Sequence, residues 1–209
     1  MNFKCFIDSC AMSLTLVLLI TVPYLGAQAQ SPTDDIDARA DTAELANKLG
    51  SPDPLLRQRS AEALAQLVAM DQRKVVEGYQ LQEKNKEVRL ALDWALYRMG
   101  RSEALFRIVR ELDSGRQEQA VGYLSQLESP EMLYPYLKRD NNAARINAGI
   151  LKALGKIGDA DTLQVIEPYR ESLQAHVAEA AESAHDELEK RLGQSESPTR
   201  VRPRTVAKP

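Results

Sequence analysis

Apolar residues recur along this chain in a short motif that repeats about every thirty residues. In each copy a small or aromatic residue precedes a leucine, and another apolar residue follows three positions later. The copies are Ala63-Leu64 with Leu67, Ala95-Leu96 with Met99, Tyr123-Leu124 with Leu127, and Ala153-Leu154 with Ile157. Such a period is typical of stacked helical pairs, because one pair alone cannot bury its apolar face. The pattern predicts an all-α fold, an α-solenoid of about five antiparallel helix pairs.

Start and stop signals divide residues 41–192 into these pairs. Asp41 with Glu44 predicts a capping box, and Asp53 before Pro54 predicts the next helix start. The first two pairs are predicted over residues 41–49, 54–69, 73–81 and 87–99. The third pair is capped by Ser102, and its two helices flank a break at residues 113–115. The fourth pair begins at residues 129–131, breaks between its helices at 140–142 and ends at Gly158. The fifth begins near 159–161, bends at 167–172 and closes with a long helix over 173–192.

The second unit carries residues that resemble a known repeat family. Asn85, Val88 and Arg89 are followed by Leu92 and Ala95-Leu96, and residues 153–159 repeat the second half of this pattern. The segment resembles the HEAT repeat, in the short subtype first noted in bilin lyases. The resemblance covers residues 41–192 and implies a solenoid with an arginine ladder between units. Only Arg57 and Arg89 match the arginine position, whereas Gln117, Asn147 and Ala178 replace it, so an incomplete ladder is expected.

The N-terminal segment predicts export. Residues 11–22 are an apolar run, Pro23 and Gly26 break it, and Ala27-Gln28-Ala29 fits a signal-peptidase site. Residues 1–29 are therefore predicted to be a signal peptide, with either Met1 or Met12 as its start. The run is shorter than the roughly 20 apolar residues that a membrane-spanning helix needs. Export to the periplasm is favoured, and secretion is the alternative.

Two flanking segments lack the apolar residues that folding needs. Residues 30–40 and 193–209 are predicted to be disordered, because neither can bury enough surface to offset the entropy of ordering. The chain has a formal net charge of −3, yet its last segment is basic. This segment could make a weak contact with an anionic membrane surface. Its basic residues are Arg200, Arg202, Arg204 and Lys208.

Residues with catalytic or metal-binding chemistry are scarce after residue 29. Cys5 and Cys10 both lie in the predicted signal peptide, so the exported chain has no thiol. His176 and His185 lie nine positions apart on one predicted helix, which places them on opposite faces at about 100° per residue. No serine nucleophile motif or phosphate-binding glycine loop is present. The sequence therefore predicts a noncatalytic protein without cofactor or metal, and no nucleic-acid partner is expected.

The remaining hypothesis is a scaffold or adaptor that binds one or more proteins. In HEAT-like arrays the second helix of each pair lines the concave side, so its outward positions form the expected binding face. Two alternatives remain: an enzyme or enzyme-maturation factor of the bilin-lyase kind, and an envelope adaptor tethered by the basic tail. Trp94 and Tyr97 could instead fill the space between the second and third pairs. The candidate partner-binding residues are Arg89, Asp93, Trp94, Tyr97, Tyr123, Gln126 and Lys152.

Overall fold

The computed structural model describes residues 32–195, and describes side chains over residues 40–193. Within this range the chain forms ten α-helices joined by short 3-10 turns and loops, with no strand. The all-α prediction is confirmed. The helices are α1 (Pro32–Lys48), α2 (Pro54–Gln66), α3 (Arg73–Gln82), α4 (Lys86–Arg98), α5 (Ala104–Arg110), α6 (Gln117–Leu124), α7 (Tyr134–Leu137), α8 (Ala144–Ile157), α9 (Ala160–Arg170) and α10 (Ala175–Ser195).

Helices pack mainly against neighbours in chain order. Each odd-numbered helix contacts the even-numbered helix that follows it, from α1 with α2 to α9 with α10. The even-numbered helices also contact one another in sequence, from α2 with α4 through to α8 with α10. The even-numbered helices therefore form a continuous row through the molecule, to which the odd-numbered helices are added in turn.

The repeated apolar motif supplies much of the core. Its leucines, Leu64, Leu96, Leu124 and Leu154, are all buried. Burying a leucine side chain contributes about 1.5–3 kcal/mol relative to leaving it in water. The last motif position differs in the first unit, where Leu67 is 57% exposed. Leu67 is the C-cap of α2 and the chain turns immediately afterwards, at φ 48° for Val68, so its side chain leaves the packed face.

Several predicted helix starts occur as expected from their capping residues. The Asp53 carboxylate accepts from the Leu55 amide at 3.0 Å, and Pro54 occupies the first helical position. Asp159 opens α9 with a capping box, which it forms reciprocally with Thr162. Side-chain oxygens satisfy amides that have no partner inside the helix, an effect of about 1 kcal/mol per cap.

Other predicted boundaries are wrong. Helix α1 begins at Pro32, ahead of its predicted start at Asp41, so Asp41 lies inside a helix instead of capping one. Proline suits a first helical position, and neither glycine nor proline follows it before Gly50. Glu103, not Ser102, precedes α5, and it makes no side-chain capping bond. Helix α9 continues through Pro168 to Arg170.

The last helix also differs from its predicted range, because α10 starts at Ala175 and extends to Ser195.

No helix among residues 32–195 is long and apolar enough to cross a membrane. The predicted signal peptide and the four basic residues of the tail lie outside the described residues. Their predicted roles remain predictions.

An ion pair between Arg57 and Glu83 joins the first two units. Arg57 on α2 donates to Glu83 through Nε at 2.8 Å and Nη2 at 3.0 Å, and its Nη1 donates to the Ser51 carbonyl at 2.8 Å. Among the described residues the side chain of Arg89, the other arginine predicted for the ladder, makes no hydrogen bond or ion pair. Glu83 is almost fully covered, so its carboxylate depends on the bidentate guanidinium for solvation.

We expect Arg57→Gln to lower the free energy of unfolding by about 1–2 kcal/mol at pH 7. The Arg57 hydrogen bonds hold the pKa of Glu83 below its usual 4.5. A depressed carboxyl pKa gives stability that is present above the unfolded pKa and is lost as pH falls through the folded pKa. Urea unfolding should therefore show the wild-type advantage shrinking below about pH 4.5. Arg59→Gln, on the exposed side of α2, is the matched control, and an equal loss in both variants would contradict the assignment.

Candidate functional site

The even-numbered helices carry a first groove where α2, α4 and α6 meet. The groove has a volume of about 300 Å³. Its rim is polar, since Gln66 at the end of α2 and Gln126 in the turn after α6 are both exposed. The full lining is Glu62, Gln66, Trp94, Gln119, Gly122, Tyr123 and Gln126.

Aromatic rings form the floor of this groove. The Trp94 ring stacks on the Tyr97 ring, with 5.6 Å between their centroids, and on the Tyr123 ring, with 5.5 Å between their centroids. Trp94 and Tyr123 are only 2% and 6% exposed, so their rings pack the interior and offer little surface. The stack fixes the spacing between α4 and α6 below the groove.

Hydrogen bonds hold the Tyr123 hydroxyl in place. It donates to Glu62 at 2.6 Å, and Gln119 Nε2 donates to it at 2.9 Å. Burial, and then the hydrogen bond to Glu62, raise the pKa of Tyr123 far above its usual value. The hydroxyl therefore remains a proton donor at neutral pH, and the groove has a fixed network joining α2 to α6.

A second groove lies further along the same row, between α6, α8 and α10, with a volume of about 370 Å³. Its exposed charged residues include Lys152 and Glu179. Lys152 Nζ lies 3.5 Å from a carboxylate oxygen of Glu118, outside the groove lining. Helix α6 contributes Gln117 to this groove and Gln119 to the first, so both grooves lie against the same helix.

The structure divides the predicted partner-binding residues into four groups. Gln126 and Lys152 are exposed at the first and second grooves. Trp94 and Tyr123 form the buried floor, which corrects their expected outward position. Tyr97 is half-buried beside Met132, whose sulfur accepts from the Tyr97 hydroxyl at 3.0 Å.

The remaining two predicted residues lie elsewhere. Arg89 and Asp93 line a polar cleft formed with α3 and α5 and take no part in either groove. Asp93 is only 5% exposed and accepts from Arg107 Nε at 2.6 Å. Its expected outward position is also wrong. Burial raises the pKa of Asp93, and the hydrogen bond from Arg107 opposes this rise.

The cause of these corrections is the central position of α4. Seven consecutive residues, from Leu90 to Leu96, are buried because α2, α3, α5 and α6 all pack around this helix. Apolar residues on every side of a helix are the sequence signal for such burial. The groove residues Glu62, Gln66 and Gln119 were not predicted, because polar residues on a helix are most often solvated and give no distinct pattern.

Histidine and carboxylate groups approach one another on α10. His185, Asp186 and Glu189 each place one potential ligand atom within 4.8 Å of the others. Asp186 and Glu189 are exposed, and His185 lies 3.8 Å from both Glu167 and Glu189. His176 is separate and lines the second groove. Exposed acidic clusters of this kind are common without an ion, so the arrangement does not define a metal site.

Comparisons with known proteins do not identify the chain. No protein-family model matches the sequence, and no curated protein matches it.

Proposed function

We propose that the chain is an exported HEAT-like α-solenoid that binds a protein partner along the face of its even-numbered helices. The order of helix contacts supports the solenoid, because each pair packs on the next and contacts between distant units are few. The sequence of residues 1–29 supports export.

One observation carries the proposed binding role. Two grooves lie along a single row of helices, and α6 contributes to both. A partner segment lying along the row would contact both grooves without any helix having to move. The buried ring stack and the Tyr123 network keep the first groove open in the free protein, which reduces the entropy cost of binding.

The chemistry of the face suits a polypeptide. The amides of Gln66 and Gln126 can each donate to and accept from a peptide backbone. Lys152 and Glu179 add charges of both signs at the second groove. Charges at such a rim govern orientation and association rate more than affinity.

Affinity capture with groove variants tests this proposal. We expect the double variant Gln66→Arg with Gln126→Arg to capture about tenfold less of a protein that the wild type captures specifically. The reason is that two bulky cationic side chains would occupy the first groove. The matched control is Gln82→Arg with Gln174→Arg, which makes the same charge change at exposed glutamines away from both grooves. Retention of the same proteins by both double variants would contradict binding through this face.

A further inference from the structure

A polar cleft opens where α3 ends, α4 begins and α5 meets the turn before α6. Its volume is about 510 Å³, within the range of small-ligand sites. It shares no lining residue with either groove of the even-numbered helices. The charged residues that line it are Arg89, Asp93, Arg107, Arg110, Glu111 and Arg116.

Two of the arginines are held by carboxylates. Arg107 Nε donates to buried Asp93 at 2.6 Å, and Gln80 Nε2 donates to the same oxygen at 3.0 Å. Arg116 donates to Glu111 through Nε at 2.8 Å and through Nη2 at 2.5 Å. Both carboxylates that line the cleft are therefore engaged in hydrogen bonds, which fix the orientation of two guanidinium groups.

Within residues 40–193, the other two arginines of the cleft form no ion pair with a carboxylate. Among the described residues the Arg89 side chain makes no hydrogen bond or ion pair, and its charge acts on Asp93 and Glu111 only at longer range. Arg110 is exposed, and its guanidinium carbon lies 5.9 Å from the centroid of the Phe106 ring. The N–H donors of these two side chains therefore remain available to a ligand.

Charge in the cleft opposes the charge of the chain. Four guanidinium groups face two carboxylates, so the cleft is a positive site in a protein whose net charge is −3. Arginine matches carboxylate and phosphate oxygens with paired hydrogen bonds, and each such bond is charge-assisted. The lining residues carry two more positive than negative charges, which corresponds to a dianion, and Glu87 lies outside the lining with a carboxylate oxygen 3.9 Å from Arg116 Nη1.

We infer that this cleft binds a small organic dianion, either a phosphate monoester or a dicarboxylate, through Arg89 and Arg110. The held pair, Arg107 and Arg116, provides fixed positive potential around the ligand. The site is independent of the proposed protein-binding face, so either can exist without the other.

Calorimetric titration of the full exported chain tests the inference. The probes are inorganic phosphate and succinate, added separately at constant ionic strength maintained with sodium chloride. We expect saturable binding of one equivalent of at least one probe. Binding of phosphate alone would assign a phosphoryl ligand, and binding of succinate alone a dicarboxylate.

Arg89→Gln and Arg110→Gln should each weaken this binding by at least about tenfold, since each removes one of the two available guanidinium groups. Both side chains are exposed, so the variants should retain the wild-type melting temperature. Arg59→Gln removes an exposed arginine that does not line the cleft and should bind as wild type does. Absence of saturable binding by both probes, or wild-type affinity in both cleft variants, would overturn the inference.

Discussion

Trp94→Ala should lower the free energy of unfolding by about 3–5 kcal/mol, the cost typical of removing a large aromatic side chain from a core. Trp94 is 2% exposed, and its ring stacks on Tyr97 and Tyr123. The substitution would leave a cavity between α4 and α6 and remove both ring contacts. Chemical unfolding of the purified protein measures the loss directly. Because domains typically have unfolding free energies of about 5–15 kcal/mol, the Trp94→Ala variant should be only marginally stable.

Tyr97→Ala is the control for this prediction. Tyr97 is half-buried, so removing its ring should cost clearly less than removing Trp94. A loss below about 1 kcal/mol for Trp94→Ala would mean that the ring does not support the core. Trp94 would then return to the set of partner-binding candidates.

Gly158→Ala should also destabilise the protein, by about 1–3 kcal/mol through overpacking. A Cβ atom at this position would lie 2.6 Å from the Leu154 carbonyl oxygen and 2.7 Å from Thr162 Cγ2. It would also lie 2.9 Å from Leu188 Cδ2 on α10. Because the carbonyl belongs to the backbone, relief requires a shift of the junction between α8 and α9. Thermal and chemical unfolding measure the effect.

Gly78→Ala is the matched glycine control. Gly78 lies inside α3, and a Cβ atom there would meet no atom within 4 Å. Alanine is favoured over glycine in a helix interior by roughly 0.5–1 kcal/mol, so this variant should be more stable than wild type. Equal effects of the two substitutions would show that Gly158 is not required for close packing.

The all-helical character of the chain was accessible from the sequence, because its signals are local. The motif leucines marked the buried face, and Asp53 with Pro54 marked a helix start that the structure retains. The start of α1 was missed because the polar composition of residues 30–40 suggested disorder. Composition indicates how much apolar surface a segment can bury. A helix that has already formed can also extend into a polar segment, because each added residue gains one backbone hydrogen bond.

The grooves were less accessible, since they depend on which faces of neighbouring helices meet. Asp93 and Trp94 looked outward when α4 was considered alone, but helices on both sides cover them. Gln66 is the last residue of α2 and Gln126 lies in the turn after α6, and the sequence contains no pattern that pairs them. Their proximity follows from how α2, α4 and α6 pack.

Site-specific photo-crosslinking in the native cell tests the proposed binding face most directly. A photoreactive residue in place of Gln126 or Lys152 would sit at the first or second groove, and one in place of Gln82 provides an exposed control position outside both. We predict a discrete crosslinked species containing a second protein from both groove positions, and none from Gln82. Groove positions that yield no crosslinked protein above the Gln82 background would contradict the account.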